Sequence, residues 1–204
     1  LGMVVDVTFA RETVAGANCT ASAGNEVMCV PEFKQGITSI VNALSGKTNV
    51  FYDIQNEYDH PAISLSNSDI SNIISGIPAG KIISVSSGAP SGPTAINIAN
   101  SLGMDLVNVH FAGGQELNTN LSSSVTSSKP TYIGEPYHTS SIPNYATSDL
   151  VNGVVNAKRV GIAAWLFHSN AGFGLNGGSI QSNFMPNEIG FINCYLKENY
   201  EAPV

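Results

Sequence analysis

Short apolar runs rich in β-branched residues alternate along this chain with segments of helical periodicity. Such alternation is typical of parallel strands joined by crossover helices, because two parallel strands need a long connection between them. The runs are almost continuously hydrophobic, which predicts strands that are covered on both faces. Six runs are predicted as strands: Met3–Phe9, Asn49–Gln55, Ile82–Ser86, Leu106–Phe111, Thr131–Gly134 and Gly161–Phe167.

The segments between these runs carry apolar residues at helical spacing, together with capping signals. Phe33, Ile37 and Val41 form the clearest stripe, and Pro93 stands in the first turn of a later helix. The predicted helices are Pro31–Leu44, a short helix that starts at Asn67 or Ser68, Gly92–Leu102, Glu116–Ser127, Ala146–Lys158 and Asn187–Glu198.

The spacing of the runs predicts the architecture. From the second run onward, successive strands begin about 25–30 residues apart, which is the pace of a compact (β/α)8 barrel. A closed barrel has eight strands in ~250 residues, whereas six strands are predicted here in 204 residues. We therefore predict an α/β protein with one domain over residues 1–204, a (β/α)8 TIM barrel that lacks its first two βα units. The alternative is a complete, open sheet of six strands.

Composition narrows the partners and the setting. Charged residues make up 11% of the chain and the net charge is −7, without a Lys/Arg cluster, so nucleic acid is an unsuitable partner. No apolar run reaches the ~18–20 residues that cross a bilayer, so we expect no membrane insertion. A polar surface built from Ser, Asn, Thr and Gly is typical of an extracellular protein, which is the localisation that we predict.

The three cysteines bear on the redox state. Cys19 and Cys29 bracket a polar segment, whereas Cys194 stands alone near the end of the chain. This spacing favours a Cys19–Cys29 disulfide that closes one loop, with Cys194 unpaired. Two free thiols at the first two positions are the alternative.

Two predicted strands lead into a glutamate at the end where parallel barrels carry their chemistry. The second run continues into Asn56-Glu57, and the fifth leads directly into Glu135. Catalytic residues of such barrels lie at the carboxyl ends of the strands, and three strand positions would place these two carboxyls across the mouth from each other. Glycosidic cleavage requires two facing carboxyls, one to protonate the leaving oxygen and one to attack the anomeric carbon.

These positions resemble the clan A glycoside hydrolases, which are retaining enzymes on a (β/α)8 barrel. That clan carries an Asn-Glu pair at the end of strand four, a second Glu at the end of strand seven and commonly a Trp on strand eight. With the runs counted as strands three to eight, Asn56-Glu57, Glu135 and Trp165 fall on those strands. The resemblance implies a carbohydrate substrate, with Glu57 as acid/base, Glu135 as nucleophile, Asn56 at the sugar 2-hydroxyl and Trp165 as the subsite floor.

Other residues are candidates for the same cleft. His110 ends the fourth run and His138 follows Glu135 closely, so both could contact the substrate or a carboxylate, and Tyr137 is expected at the rim. A polar histidine without catalytic duty is the alternative for each, and core packing is the alternative for Trp165.

One position departs from the pattern of the clan. Ala112 stands where the clan often has a Tyr that holds the nucleophile. Another residue must therefore orient Glu135.

Other chemistries lack the necessary residues. The four histidines are dispersed without metal-binding spacing, and there is no phosphate-binding loop or Gly-x-Ser-x-Gly elbow, so we predict no metal and no cofactor. A Schiff-base aldolase needs a lysine at the carboxyl end of a strand, whereas Lys47, Lys81, Lys129 and Lys158 all precede strands. The main rival is a non-catalytic carbohydrate-binding or structural protein on a degenerate barrel.

Overall fold

Short strands and helices alternate along the chain in a computed structural model. The structure describes residues 4–9, 29–59, 65–88, 92–111, 127–136, 144–166 and 184–193. These residues contain the strands β1 (Val5–Thr8), β2 (Val50–Asp53), β3 (Ile83–Ser84), β4 (Ser86–Ser87), β5 (Val107–His110), β6 (Thr131–Glu135) and β7 (Ala164–Trp165). They also contain the helices α1 (Val30–Ala43), α2 (Asn67–Ile74), α3 (Gly92–Ser101), α4 (Thr147–Arg159) and α5 (Pro186–Phe191).

The helices agree closely with the sequence pattern where they are described. α1 buries Phe33, Ile37 and Val41, which are the predicted stripe. α2 is capped by Ser66 rather than by Asn67 or Ser68, because the Ser66 hydroxyl accepts a hydrogen bond from the Asp69 amide at 3.2 Å. The predicted helix Glu116–Ser127 falls almost entirely outside the described residues.

All pairs among these described strands are parallel, and neighbouring strands follow each other in chain order. β1, β2 and β3 form one sheet, and β4, β5, β6 and β7 form a second. The α/β class with parallel strands is therefore confirmed. Strands that stay in chain order form a singly wound sheet, without the reversal of order that marks a doubly wound one.

The third predicted strand differs from the prediction, because it is divided into β3 and β4. β3 pairs with β2, whereas β4 pairs with β5. The Ser86 amide still donates to the Gln55 carbonyl at 3.3 Å, so the segment continues beside the chain that leaves β2. A staggered, curved sheet shifts the register from one neighbour to the next, which a hydropathy pattern does not record.

The sheet is strongly curved, because side chains from distant strands meet on one of its faces. The Tyr132 hydroxyl donates to Asp6 Oδ2 at 3.2 Å, although β6 and β1 are four strand steps apart. A flat sheet would hold these strands about 19 Å apart, at ~4.8 Å per step. The face that carries Asp6, Asp53, Asn108 and Tyr132 is therefore concave, and we call it the inner face.

The outer face of the sheet packs against the helices. Burying one large aliphatic or aromatic side chain contributes roughly 1.5–3 kcal/mol, so this layer is the main source of stability. Its buried members from the strands and from α1 to α3 include Tyr52, Ile54, Val85, Val109, Ile133, Phe33, Ile37, Val41, Ile70, Ile73, Ala95 and Ala99.

A cavity of about 340 Å³ opens at the amino ends of the strands. Each of the six predicted strand segments contributes a residue to the apolar lining of this cavity: Val4, Phe51, Ile82, Leu106, Tyr132 and Ala164. The six segments therefore line a common cavity at the end opposite to Glu57 and Glu135.

The predictions of a disulfide and of no membrane insertion can be compared with the structure only in part. Cys29, immediately before α1, is disulfide-bonded, but Cys19 and Cys194 lie outside the described residues, so the Cys19–Cys29 pairing stays a prediction. No helix among the described residues is long and apolar enough to cross a membrane.

Candidate active site

Glu57, His110 and Glu135 come together at the carboxyl end of the parallel strands. His110 and Glu135 are the last residues of β5 and β6, and Glu57 lies in the turn that follows β2. Because parallel strands all point the same way, their carboxyl ends share one edge of the sheet. This edge holds the two glutamates that the sequence singles out, with a histidine between them.

The His110 ring lies close to both carboxylates. His110 Nδ1 lies 3.3 Å from Glu57 Oε1 and 3.8 Å from Glu135 Oε2. One ligand atom from each side chain can be chosen so that all three lie within 4.8 Å of one another. The His110 side chain is only 5% exposed, whereas Glu57 and Glu135 are 21% and 30% exposed. The carboxylates are therefore open to a ligand, while the histidine beneath them is fixed by burial.

A bulge in β6 brings His110 opposite Glu135. Val109 pairs with Ile133, but His110 pairs with Glu135, so the register skips Gly134. A Cβ atom at Gly134 would collide with Asn108 Oδ1 and lie 3.0 Å from His110 Nε2. Only glycine leaves room for both neighbours. Bulges of this kind commonly re-aim a side chain beside an active site.

Glu57 has an unusual backbone conformation. Its φ angle is +48°, and no other non-glycine residue in the described part of the chain has a positive φ. The left-handed region costs a residue with a Cβ about 1–2 kcal/mol, so the surroundings must hold Glu57 in place. The Ser86 hydroxyl contributes by accepting the Glu57 N–H at 2.8 Å.

A layer of polar side chains lies on the inner face below this cluster. The Asn108 amide donates to Asp53 Oδ2 at 2.9 Å, and the Tyr132 hydroxyl contacts both Asp6 and Ser84. Asp53, Ser84 and Asn108 are at most 2% exposed. Asp6 Oδ1, Asp53 Oδ1 and Asn108 Oδ1 are buried and have no hydrogen-bond partner within the described structure.

The electrostatics of this layer follow from its burial. Burial raises the pKa of Asp53 from its ordinary 3.8 to about 7; the charge of Asp6 adds to the rise, while His110 and Asn108 lower it. Burial also raises the pKa of Asp6 to about 6, against the lowering effect of the Tyr132 hydrogen bond. The pKa of Tyr132 is raised by burial and by both carboxylates. The layer therefore favours neutral forms of all three groups.

The remaining predicted residues have different positions. Asn56 lies beside Glu57, and its Oδ1 is 3.3 Å from the Ser86 hydroxyl. Trp165 is the register partner of the buried core residue Ile133, and its ring packs on Phe191 with centroids 5.7 Å apart. These contacts favour core packing for Trp165, since they place it on the outer face. Tyr137 and His138 lie outside the described residues.

The arrangement can support two kinds of chemistry. A pair of adjacent carboxylates, one as acid and one as nucleophile, can cleave a glycosidic bond. The same Glu-His-Glu set could hold a divalent ion such as Zn²⁺, and it is the single such group among the described residues.

Sequence reasoning does not identify Ser86 or Gly134 as residues of this site. The glycine before Glu135, at the end of a predicted strand, could have indicated the bulge. The polar sequence Ser86-Ser87-Gly88, at the end of another predicted strand, could have indicated a polar contact. Comparison of the chain with protein-family models, with curated proteins and with solved structures finds no match. We therefore infer the function from the geometry of the site.

Proposed function

We propose that this protein is a retaining glycoside hydrolase that cleaves O-glycosidic bonds in an oligosaccharide or polysaccharide. The observation that carries the proposal is the close approach of Glu57 and Glu135, which have carboxylate oxygens within 4.8 Å of each other. Retaining glycosidases hold their two carboxyls ~5–5.5 Å apart, whereas inverting enzymes need ~6.5–9.5 Å to admit a water molecule. A closest oxygen–oxygen separation of at most 4.8 Å is compatible with the shorter of these two spacings, and we therefore propose retention.

In the first step, a Glu135 carboxylate oxygen attacks the anomeric carbon and the bond to the leaving oxygen breaks. Glu57 donates its proton to that oxygen, so the aglycone leaves as a neutral alcohol.

In the second step, Glu57 takes a proton from water while the water oxygen attacks the anomeric carbon. The bond to Glu135 breaks, the sugar is released with its original configuration, and Glu57 is again protonated. His110 Nδ1 is within hydrogen-bond distance of Glu57 Oε1, at 3.3 Å, and lies 3.8 Å from Glu135 Oε2. In this proposal His110 occupies the place beside the nucleophile that the clan often gives to a Tyr.

The proposal includes a (β/α)8 barrel, of which the described strands form the larger part. Support comes from the parallel strands in chain order, the Tyr132–Asp6 contact across the inner face and the cavity bounded by all six segments. Two further βα units would close such a barrel. We propose an extracellular carbohydrate as the substrate, because the low fraction of charged residues is typical of an extracellular protein and the partly exposed Glu57 and Glu135 carboxylates are accessible to a ligand.

Substitution of the two glutamates tests the proposal against a panel of aryl glycosides and polysaccharides. We expect Glu135→Ala to abolish turnover of every substrate, because no covalent intermediate can form. Glu57→Ala should retain turnover of 2,4-dinitrophenyl glycosides, which leave without protonation, and lose about 10²–10⁴-fold with poor leaving groups. Azide should then give a glycosyl azide of retained configuration.

Glu32→Gln is the matched control, since Glu32 is an exposed residue in the first turn of α1. It should behave like the wild type with all substrates. Full activity in Glu135→Ala would refute Glu135 as the nucleophile and with it the proposed retaining mechanism. Carbohydrate binding without turnover in the wild type would favour the non-catalytic binding protein instead.

A metal-dependent hydrolase is the second candidate, because Glu57, His110 and Glu135 provide the three protein ligands that a catalytic zinc site requires. Extensive dialysis against a chelator distinguishes the carboxylate mechanism from the metal-dependent one. The carboxylate mechanism predicts unchanged hydrolysis after dialysis. Loss of hydrolysis that is restored by Zn²⁺ would favour the metal-dependent reaction.

A further inference from the structure

We propose that Ser86 is a positioning residue for Glu57, and that it acts through a three-residue clamp formed by Ser86, Ser87 and Gly88. The inference rests on the proposed function, in which Glu57 is the acid/base. The clamp consists of β4 and the glycine that follows it, and it binds the turn that carries Glu57 at both ends of that turn.

Ser86 holds the backbone of this turn on both sides of Glu57. Its hydroxyl oxygen accepts the Glu57 N–H at 2.8 Å. Its carbonyl oxygen accepts the N–H of Tyr58 at 3.2 Å, and its own N–H donates to the Gln55 carbonyl at 3.3 Å. One residue therefore binds three peptide groups in succession around a position whose φ is +48°.

The hydroxyl of Ser86 is a specific requirement of this arrangement. Ser86 is fully buried, so water cannot replace a missing acceptor there without a change in packing. The Ser86 hydroxyl oxygen lies 3.3 Å from Asn56 Oδ1 and 3.5 Å from the Gln55 carbonyl oxygen, and a hydrogen bond from Ser86 also lowers the pKa of Asp53. The hydroxyl thus accepts the Glu57 N–H and donates its single proton to one of these neighbouring oxygens.

Ser87 and Gly88 bind the far end of the turn. The Ser87 hydroxyl donates to Asp59 Oδ2 and the Gly88 N–H donates to Asp59 Oδ1, both at 2.7 Å. A Cβ atom at Gly88 would lie 3.5 Å from three atoms of the Glu57 side chain. The Glu57 side chain therefore rests over Gly88, and the Asp59 carboxylate holds the turn against the clamp.

This geometry predicts a defect limited to proton transfer. Ser86 contacts Glu57 through the backbone and has no part in the attack by Glu135. Removal of the hydroxyl should displace the Glu57 carboxyl, and a displacement of about 1 Å can lower a rate about a hundredfold. The loss should appear with glycosides whose aglycone needs a proton and should be small with 2,4-dinitrophenyl glycosides.

Ser86→Ala is the test, and Ser84→Ala is its matched control. Ser84 is also fully buried on the inner face, but its hydroxyl contacts the Tyr132 hydroxyl at 2.9 Å rather than the turn. NMR measures the hydrogen-exchange rate of the Glu57 amide, which reports on its hydrogen bond independently of catalytic activity. The second measurement is the ratio of kcat/KM for a 2,4-dinitrophenyl glycoside to kcat/KM for a methyl glycoside. This ratio rises when acid catalysis is impaired, because only the methyl glycoside needs a proton on its leaving group.

We expect Ser86→Ala to speed exchange of the Glu57 amide about tenfold and to raise that kcat/KM ratio about ten- to a hundredfold. Ser84→Ala should leave both values as in the wild type. If Ser86→Ala does not fold by circular dichroism, Asp59→Ala replaces it, because Asp59 is exposed and loses only the outer two bonds. Asp59→Ala should also raise the exchange rate of the Glu57 amide and the kcat/KM ratio, but by less than Ser86→Ala.

Unchanged Glu57 exchange, or an equal loss with both glycosides, overturns the inference. Failure of the proposed function is a separate result, since the wild type then hydrolyses neither glycoside. The exchange measurement still decides in that case whether Ser86 holds the Glu57 backbone.

Discussion

Gly134 shows how one missing side chain shapes the site. The bulge that it occupies turns His110 toward Glu135, and the space beside it is filled by the Asn108 amide and the His110 ring. An alanine at this position would have to displace one of them. The consequence extends to Asp53, because Asn108 also donates a hydrogen bond to that carboxylate.

We predict that Gly134→Ala lowers the free energy of unfolding by about 1–3 kcal/mol, because overpacking of a filled interior costs about that much. Hydrolysis should fall as well, since His110 moves away from the carboxylates. Denaturation in urea and kcat on an aryl glycoside measure the two effects.

The matched control is Gly36→Ala in α1. Nothing lies within 4 Å of a Cβ atom at Gly36, so alanine should raise the free energy of unfolding by about 0.5–1 kcal/mol through lower chain entropy. Equal stability of Gly134→Ala and the wild type would contradict the crowding described for the bulge.

The sequence could identify some residues of the site but not others. Glu57, His110 and Glu135 were identified because each stands at the end of an apolar run, and strand ends meet in a parallel sheet. The role of Ser86 depends on which backbone groups lie opposite it, and no local pattern records that register. The side of the sheet that Trp165 faces depends on the phase of a strand only two residues long, so its packing on Phe191 could not be predicted.

At the scale of single elements, capping determines where α2 begins. The Ser66 hydroxyl accepts the Asp69 N–H at 3.2 Å, and the Asp69 carboxylate accepts the Ser66 N–H at 2.8 Å. This reciprocal pair is a capping box. The sequence predicted the helix from its isoleucines, but several neighbouring polar residues could each have been its cap.

We predict that Ser66→Ala lowers the free energy of unfolding by about 1 kcal/mol, because it removes one of these hydrogen bonds at the helix start. Thermal denaturation followed by circular dichroism measures the loss. Ser71→Ala is the control, since Ser71 is exposed within the same helix and its hydroxyl donates to the Asn67 carbonyl of the preceding turn. Alanine there should be neutral or stabilising, and hydrolysis should be unaffected by either substitution.

At the scale of the whole molecule, the order of the strands and a curved sheet were both expected from the sequence, but the contacts across that curvature were not. Alternation of apolar runs and helical segments implies parallel strands with crossover helices, and short connections keep successive strands adjacent. The curvature is revealed by a contact between Asp6 and Tyr132, which are 126 residues apart in the chain. A contact at that separation leaves no mark on local periodicity.

The inner-face carboxylates make the stability of the whole fold depend on pH. The pKa of Asp53 is raised to about 7 and that of Asp6 to about 6, with burial as the main cause. Both groups ionise near pH 3.8 in the unfolded chain. Between these values the folded state binds more protons than the unfolded state, so the free energy of unfolding falls as pH rises. The contribution is fully present below about pH 4 and is lost by the time pH passes 7.

We therefore expect the free energy of unfolding to fall by a few kcal/mol between about pH 4 and pH 7, because a tenfold difference in proton affinity between the folded and unfolded states corresponds to about 1.4 kcal/mol. Urea denaturation at intervals of half a pH unit measures this dependence.

Asp53→Asn should flatten the curve, because an amide stays neutral while its oxygen still accepts the Asn108 hydrogen bond. Glu32→Gln, which changes an exposed carboxylate, should leave the curve as in the wild type. An Asp53→Asn curve as steep as the wild-type curve would mean that Asp53 makes no contribution to the pH dependence. A wild-type curve that rises over this range would mean that Asp53 is ionised in the folded protein at low pH. The inner face would then have to stabilise that charge through Asn108 and His110, and the folded state would lose rather than hold its stability on acidification.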